Sequence, residues 1–252
     1  MDCISEGSDQ LLYSRIDDTV HLCEKRGVPC FLGFLDLREQ VTTKDYLANK
    51  RLNWALYGGY DDAERRLLAI YPDYYEPLAE DYPLCAVGFR YRAVREITHR
   101  DVLGTLMAAG IRRDKIGDIL CGDGLSVVFL REEIADFVRE QIDRIGGEGV
   151  TVISEYTGAL PVSHTYQELK DTIASPRLDA VVKSLLRISR EKAAELIRLG
   201  SVSVNHRPVE SVSLTLSAPC TVSVRGYGRF LLDEIGPPTK KGRLLLSARK
   251  CL

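Results

Sequence analysis

Apolar residues in the first part of the chain recur at Leu12, Ile16, Val20 and Cys23. Steps of four, four and three predict one helical stripe over residues 9–26, ended by Gly27 and Pro29. The next segment, CFLGFLDLREQ, stays apolar up to Asp36, which is placed to cap a helix through Arg38 and Glu39. A second helix start is expected at Thr42-Thr43, leading into KDYLANKRLNW and broken by Gly58-Gly59. Arg65 to Tyr71 predicts a strand closed by Pro72, and the acidic, proline-bearing DYYEPLAEDYP reads as a linker.

Residues 84–156 give a cleaner order: strand LCAVGFRYR, helix from Thr98 to Ala109, strand IGDILC, strand LSVVFL, helix from Arg131 to Ile145, strand VTVISEY. Gly122-Asp123-Gly124 between two apolar runs signals a tight hairpin. Strand, helix, strand, strand, helix, strand is the split βαβ plan, an antiparallel sheet with both helices on one face. RNA-recognition-motif domains share it and stack bases on aromatics of the central strands. Here the third strand offers only Phe129, with Phe89 and Tyr91 on the first. A structural or protein-facing sheet with core aromatics is therefore the expectation.

TGALPVSHTYQELKDTIASP reads as a connector with a strand-like VSHTY and a short helical QELKDTI. Beyond it, apolar residues at 178, 181, 182, 185 and 186 fall on one helical face, with Lys183 and Arg187 off it. Ser189 suits the N-cap of a second helix, with Ala193, Leu196 and Ile197 inward and Gly200 as its stop. Val202 and Val204 mark a half-buried strand, Asn205-His206-Arg207-Pro208 a turn, and TVSVRGYGRFLL a later strand carrying Arg225 and Arg229. The fold class expected is α+β: an N-terminal α/β region (1–81), a recognition-motif-like βαββαβ middle domain (82–158), a connector (159–175), and a small C-terminal αL-type RNA-binding domain (176–252) of two helices and a short sheet.

Charge gives this last region its meaning. From Pro176 to Leu252 there are 14 Lys and Arg against 6 Asp and Glu, a charge of +8, while residues 1–175 carry 20 against 30, or −10. A basic module on an acidic body is the footprint of a polyanion-binding part. Arg190 and Lys192 fall in the first turn of a helix, where cations oppose the helix dipole unless an anion is bound there. Lys240, Lys241, Arg243, Arg249 and Lys250 add charge near the end. With 45% hydrophobic and 28% charged residues, and no apolar run long enough to span a bilayer, a cytoplasmic protein is expected. The seven cysteines are scattered, without C-x-x-C or metal-ligand spacing, and read as reduced thiols, Cys85 and Cys121 as small core residues. No metal site, cofactor or catalytic residue is expected. No dinucleotide, phosphate-loop or zinc-deaminase motif occurs, and Asp36, Asp61 and Asp62 read as a cap and a charged loop.

R-L-D-x-x-V, S-R-x-x-A-x-x-L-I-x-x-G-x-V-x-V-N and V-R-G-x-G-R-F, between Arg177 and Phe230, resemble the RNA-binding domain of small-subunit ribosomal protein number four. Ala218-Pro219-Cys220 stands where that family often has Gly-Asp. Upstream, FLDLREQ (34–40), W-A-L-Y-G-G-Y-D-D-A-E-R (54–65) and K-I-G-D-I-L (115–120) are similar to segments of the bacterial YlmH family, extending the likeness over nearly the whole chain. The resemblance implies a monomeric, ribosome-associated factor without enzymatic activity. Such a factor binds ribosomal RNA and peptidyl-tRNA on the large subunit during rescue of stalled nascent chains. The RNA-contacting set expected is Arg177, Lys183, Arg187, Ser189, Arg190, Lys192, Arg198, Asn205, His206, Arg207, Arg225 and Arg229. Alternatives are an RNA-modifying enzyme targeted by its C-terminal domain and a cell-division adaptor.

Overall fold

The computed structural model describes residues 3–92, 96–161, 166–239 and 242–251, and side chains throughout these except at 3–6 and 8. The chain forms two compact units, Met1–Ser163 and His164–Leu252, and every described strand pair is antiparallel. Lys240, Lys241 and most of the VSHTY segment lie outside the described residues.

The first unit begins with α1 (Cys3–Arg26), β1 (Cys30–Leu35), α2 (Leu37–Leu47), β2 (Asn53–Tyr57) and β3 (Arg66–Tyr71), its sheet ordered β1-β3-β2. Leu12, Ile16 and Cys23 are buried against Leu35, Leu68 and Ile70, the face their spacing predicts. Asp36 caps α2 reciprocally: its carboxylate accepts the Glu39 N–H, and the Glu39 carboxylate accepts the Asp36 N–H, both at 2.8 Å. Two expectations fail here. α2 runs unbroken through Thr42 and the fully buried Thr43, so no second start exists. The helix ends at Leu47, and Asn53–Tyr57 is a strand: Trp54 and Leu56 pack with α1, while Tyr57 joins the opposite core. That alternation has period two, which a helical reading hides.

Next come β4 (Leu84–Arg90), α3 (His99–Ala108), β5 (Ile116–Gly122), β6 (Leu125–Arg131), α4 (Glu132–Gln141), the two-residue strands β7 (Arg144–Ile145) and β8 (Glu148–Gly149), and β9 (Thr151–Ile153). The four-stranded sheet is ordered β5-β6-β4-β9. α4 stops short of Ile145 because Gly146 and Gly147, at φ +57 and +91, turn the chain into the β7–β8 hairpin. One sheet face carries Val87, Phe89, Val128 and Leu130 against Val102, Leu106 and Val138 of the helices. The other carries Leu120, Val127 and Phe129, which pack with Phe34, Leu67 and Ala69 of the N-terminal sheet and with Tyr82. The segment read as a linker thus supplies a core residue, because Tyr82 is 4% exposed.

Close approach of the two sheets fixes the residues between them. A Cβ at Gly117 would come within 2.7 Å of Phe34, and one at Gly59 within 2.4 Å of Phe129. Buried Asp118 accepts the Tyr60 hydroxyl at 2.8 Å and the Glu64 and Arg65 N–H groups at 2.7 and 2.9 Å. Arg65 reaches back to the carbonyls of Phe34 and Ile116, each at 2.9 Å. The 54–65 and 115–120 segments are therefore two sides of one contact. Burial and the Asp118 charge push the Tyr60 hydroxyl well above its ordinary pKa, so it stays a donor.

The second unit contains β10 (Tyr166–Ile173), α5 (Leu178–Leu186), α6 (Arg190–Arg198), β11 (Val202–Val204), β12 (Arg207–Pro208), β13 (Cys220–Val224), β14 (Gly228–Pro238) and β15 (Leu244–Cys251). Its sheet, ordered β10-β15-β14-β13-β11-β12, is larger than the short one expected. QELKDTI is strand, not helix. It pairs along the whole of β15, and Leu169 and Ile173 turn inward while the charged residues stay exposed on this edge. TVSVRGYGRFLL is two strands, since Gly226 and Gly228 at φ +84 and +110 form a hairpin turn between them. Leu178, Val181, Val182, Ala193 and Ile197 meet Val222, Val224, Phe230 and Leu246 in one core.

Replacing Phe129 by Ala should cost about 3–5 kcal/mol in urea unfolding of the first unit, as for a core aromatic. A loss under about 1 kcal/mol would mean that this sheet face is open to solvent.

Candidate nucleic-acid interface

The two helices of the second unit hold the basic residues by the same local chemistry that forms them. α5 buries one face and ends at Arg187, which takes the left-handed conformation (φ 54, ψ 43) and turns the chain into α6. Ser189 caps α6, its hydroxyl accepting the Lys192 N–H at 3.1 Å. Lys183, Arg187, Ser189, Arg190, Lys192 and Arg198 are all exposed.

These cations differ in how far their charge is already engaged. Asp179, 5% exposed, lies between Arg177 and Arg190, with nitrogen–oxygen distances of 3.2 and 2.9 Å. Lys192 pairs with Glu195 at 2.9 Å. The expectation that only a bound anion compensates Arg190 and Lys192 is therefore incorrect, because the chain supplies carboxylates for both. Lys183, Arg187, Arg198 and Arg225 make no side-chain hydrogen bond or ion pair among the described residues, so their charge faces solvent. Of the cations read as tail charge, Arg249 is bound to Asp233 at 2.7 Å, and Lys250 lies over the Phe230 ring.

Asn205 and His206 form a tight turn between β11 and β12, both with positive φ (47 and 65). The Asn205 side-chain oxygen accepts the Thr221 N–H at 2.9 Å, and its own N–H donates to the Thr221 carbonyl at 2.8 Å. Asn205 thus locks the turn to β13, and Arg207 is presented on the exposed short strand after it. Arg225 begins the β13–β14 turn, and its N–H donates to the Ser201 carbonyl at 2.9 Å, which brings that turn beside the end of α6 and Arg198. Arg229, on β14, is half-buried.

Tyr227 was not among the expected contacts. It is 40% exposed at the tip of the same turn, between Arg225 and Arg229. Its signal is the Arg-Gly-Tyr-Gly-Arg sequence, in which flanking glycines make the turn and leave the aromatic at its tip. Phe89, Tyr91 and Phe129, by contrast, are at most 8% exposed and offer no ring to a base. Among the described residues no group of His, Cys, Asp or Glu is arranged to hold a metal, and no helix is long and apolar enough to cross a membrane.

Burial pulls the Asp179 carboxyl upward, but hydrogen bonds and charge from Arg177 and Arg190 outweigh it and hold the group below its ordinary range. A depressed folded-state pKa contributes stability that is present above the unfolded value of about 3.9 and lost as pH falls through the folded one. Asp179→Asn should therefore lower stability at pH 7, with the gap to the parent closing below about pH 4. Chemical unfolding at pH 7 and pH 3 checks this; an equal gap at both would remove the ion pairs from the account.

The family model described as "Putative RNA-binding domain in YlmH" matches residues 77–157, and the S4 domain model matches residues 176–219. The chain is 35% identical over 212 residues to "Ribosome-associated protein quality control protein P2" of Bacillus subtilis (strain 168), a match covering 83% of this chain and 82% of that relative. Its fold is similar to that of the solved "Cell division protein ylmH from Streptococcus pneumoniae", with a TM-score of 0.51 and 21% identity over 58% of this chain and 90% of that one. With both domain models matched in order and the curated relative aligned over most of its length, the chain belongs to the YlmH family.

Proposed function

We propose that this protein is a non-enzymatic RNA-binding factor of ribosome-associated quality control, gripping ribosomal RNA and peptidyl-tRNA on the large subunit through its C-terminal unit. The observation that carries this reading is the set of cations outside any salt bridge among the described residues, Lys183, Arg187, Arg198 and Arg225, displayed on the region matched by the S4 model and the hairpin after it. The relative aligned over 83% of the chain is named for ribosome-associated quality control, which supplies the cellular setting. Phosphates neutralise these side chains, while Arg177 and Arg190 keep the Asp179 corner in shape and contact RNA with their remaining N–H groups. Ser189 and Asn205 fix the helix start and the turn, His206 and Arg207 extend the surface, and Arg229 supports the hairpin. Tyr227 stacks on an unpaired base, a role for which an exposed ring flanked by arginines is suited.

In this reading residues 1–81 and the recognition-motif-like 82–158 form the acidic body, 159–175 link it to the basic part, and the body discourages indiscriminate binding to nucleic acid. The protein acts as a monomer in the cytoplasm.

If Lys183, Arg187, Arg198 and Arg225 each neutralise a phosphate, affinity for large subunits should fall with salt at a log–log slope of about −3 to −4. Replacing both Arg198 and Arg225 by Ala should reduce that slope by about 2. An unchanged slope in co-sedimentation would overturn the assignment. Tyr227→Ala should weaken binding by about 1–3 kcal/mol with little change in slope, because stacking carries no counterion release.

A further inference from the structure

A cleft of about 560 Å³ opens between β10 and α5, within the range of small-ligand sites. One wall is the α5 face of Ala180, Lys183, Ser184 and Arg187; the other is β10 with Leu169, Asp171 and Ile173. Arg243, just before β15, and Leu246, on β15, complete it, and Arg190 stands at the α6 end. The β10 wall and Arg243 lie outside the part matched by the S4 model, so this space is an addition to that domain's helical pair.

The lining is chemically specific. Lys170 and Arg190 are paired with Glu168 and Asp179; three further cations, Lys183, Arg187 and Arg243, and one carboxylate, Asp171, stand over an apolar floor of Leu169, Ile173 and Leu246. Arg243 is tied to the wall through the Thr172 carbonyl, while Lys183 and Arg187 have no side-chain partner among the described residues. Asp171 accepts the Ser184 hydroxyl and the Thr172 N–H, which leaves two of its four acceptor positions open. The Ser184 hydrogen bond, opposed by burial and aided by the Thr172 N–H, Arg243 and Arg187, holds its pKa below the usual carboxylate range, so it is an anion at neutral pH.

A site for bare phosphate would have no use for that carboxylate, which repels one. Cations for a phosphate, an apolar floor for a ring, and a carboxylate that accepts amino N–H groups are together the parts of a nucleotide site. From this we infer that the β10–α5 cleft binds a single nucleotide: its phosphate on Lys183, Arg187 and Arg243, its base on the apolar floor, and an exocyclic amino group of the base on Asp171. The nucleotide is either an unpaired residue of the bound RNA or a free mononucleotide, which would compete with RNA phosphates for Lys183 and Arg187. Only the first source rests on the RNA-binding function proposed above.

The test follows backbone amide resonances of the full-length protein during titration with cytidine 5′-monophosphate, uridine 5′-monophosphate, cytidine and inorganic phosphate. Cytidine 5′-monophosphate should shift Asp171, Thr172 and Ser184 saturably. Cytidine and phosphate should each bind at least about tenfold more weakly, since each retains only part of the contacts. Uridine 5′-monophosphate, without an exocyclic amino group, should bind at least about fivefold more weakly. Ser184→Tyr, which fills the cleft without changing charge, and Arg243→Ala should both abolish the response, with melting curves confirming that each variant is folded. If Ser184→Tyr also weakens ribosomal RNA binding severalfold, the nucleotide belongs to the RNA; if RNA binding is unchanged, it is free. No saturable shift with either mononucleotide, or an equal response to phosphate alone, overturns the inference. Neither result bears on the Arg198 and Arg225 salt slope, so the two proposals fail separately.

Discussion

The middle sheet is covered on both faces, and this constraint closes Phe89, Tyr91 and Phe129 to base stacking. Helices α3 and α4 bury Val87, Phe89, Val128 and Leu130 on one side, and the N-terminal sheet buries Leu120, Val127 and Phe129 on the other. A βαββαβ sheet that binds single strands leaves its second face open for stacking. Here that face is an internal contact, tightened by glycines at 59 and 117 and locked by Asp118 to the backbone of residues 64 and 65. Unstacking it would expose several aromatic rings and strand a buried carboxylate, so base stacking there would require the first unit to come apart.

In the C-terminal unit, carboxylates sort the cations. Asp179 engages Arg177 and Arg190, Glu195 engages Lys192, and Asp233 engages Arg249. Among the described residues, cations outside any salt bridge lie on one side of α5, at the end of α6 and on the β13–β14 turn. The sorting also explains why a basic region of this density folds: charge that would repel itself is bridged internally, and the uncompensated groups are exposed, where water screens them.

Most of the fold was legible where one physical signal acted alone. The α1 stripe, the Asp36 and Ser189 caps, the middle-domain order and the α5–α6 pair each follow from periodicity or capping. Misreadings came where two signals competed. NWALY alternates but follows a helical run, and its strand character emerges only when β3 pairs with it on one side of the sheet. QELKDTI has the composition of an exposed helix, but β15 pairs with all seven of its residues. The candidate site was legible as a cluster of basic residues. The partners of those residues were not, since Asp179 lies eleven positions from Arg190 and their contact depends on how α5 packs on α6. Tyr227 was hidden because a turn tip and a strand position look alike until Gly226 and Gly228 are seen at positive φ.

The proposed RNA contact lies on the C-terminal unit and not on the middle sheet. Ultraviolet crosslinking of the protein bound to large ribosomal subunits, with the crosslinked peptides identified by mass spectrometry, measures this directly. Crosslinks are predicted on peptides within residues 177–229, Tyr227 among them, and none on Phe89 or Phe129. Crosslinks to Phe89 or Phe129, with the 177–229 peptides unmodified, would contradict it.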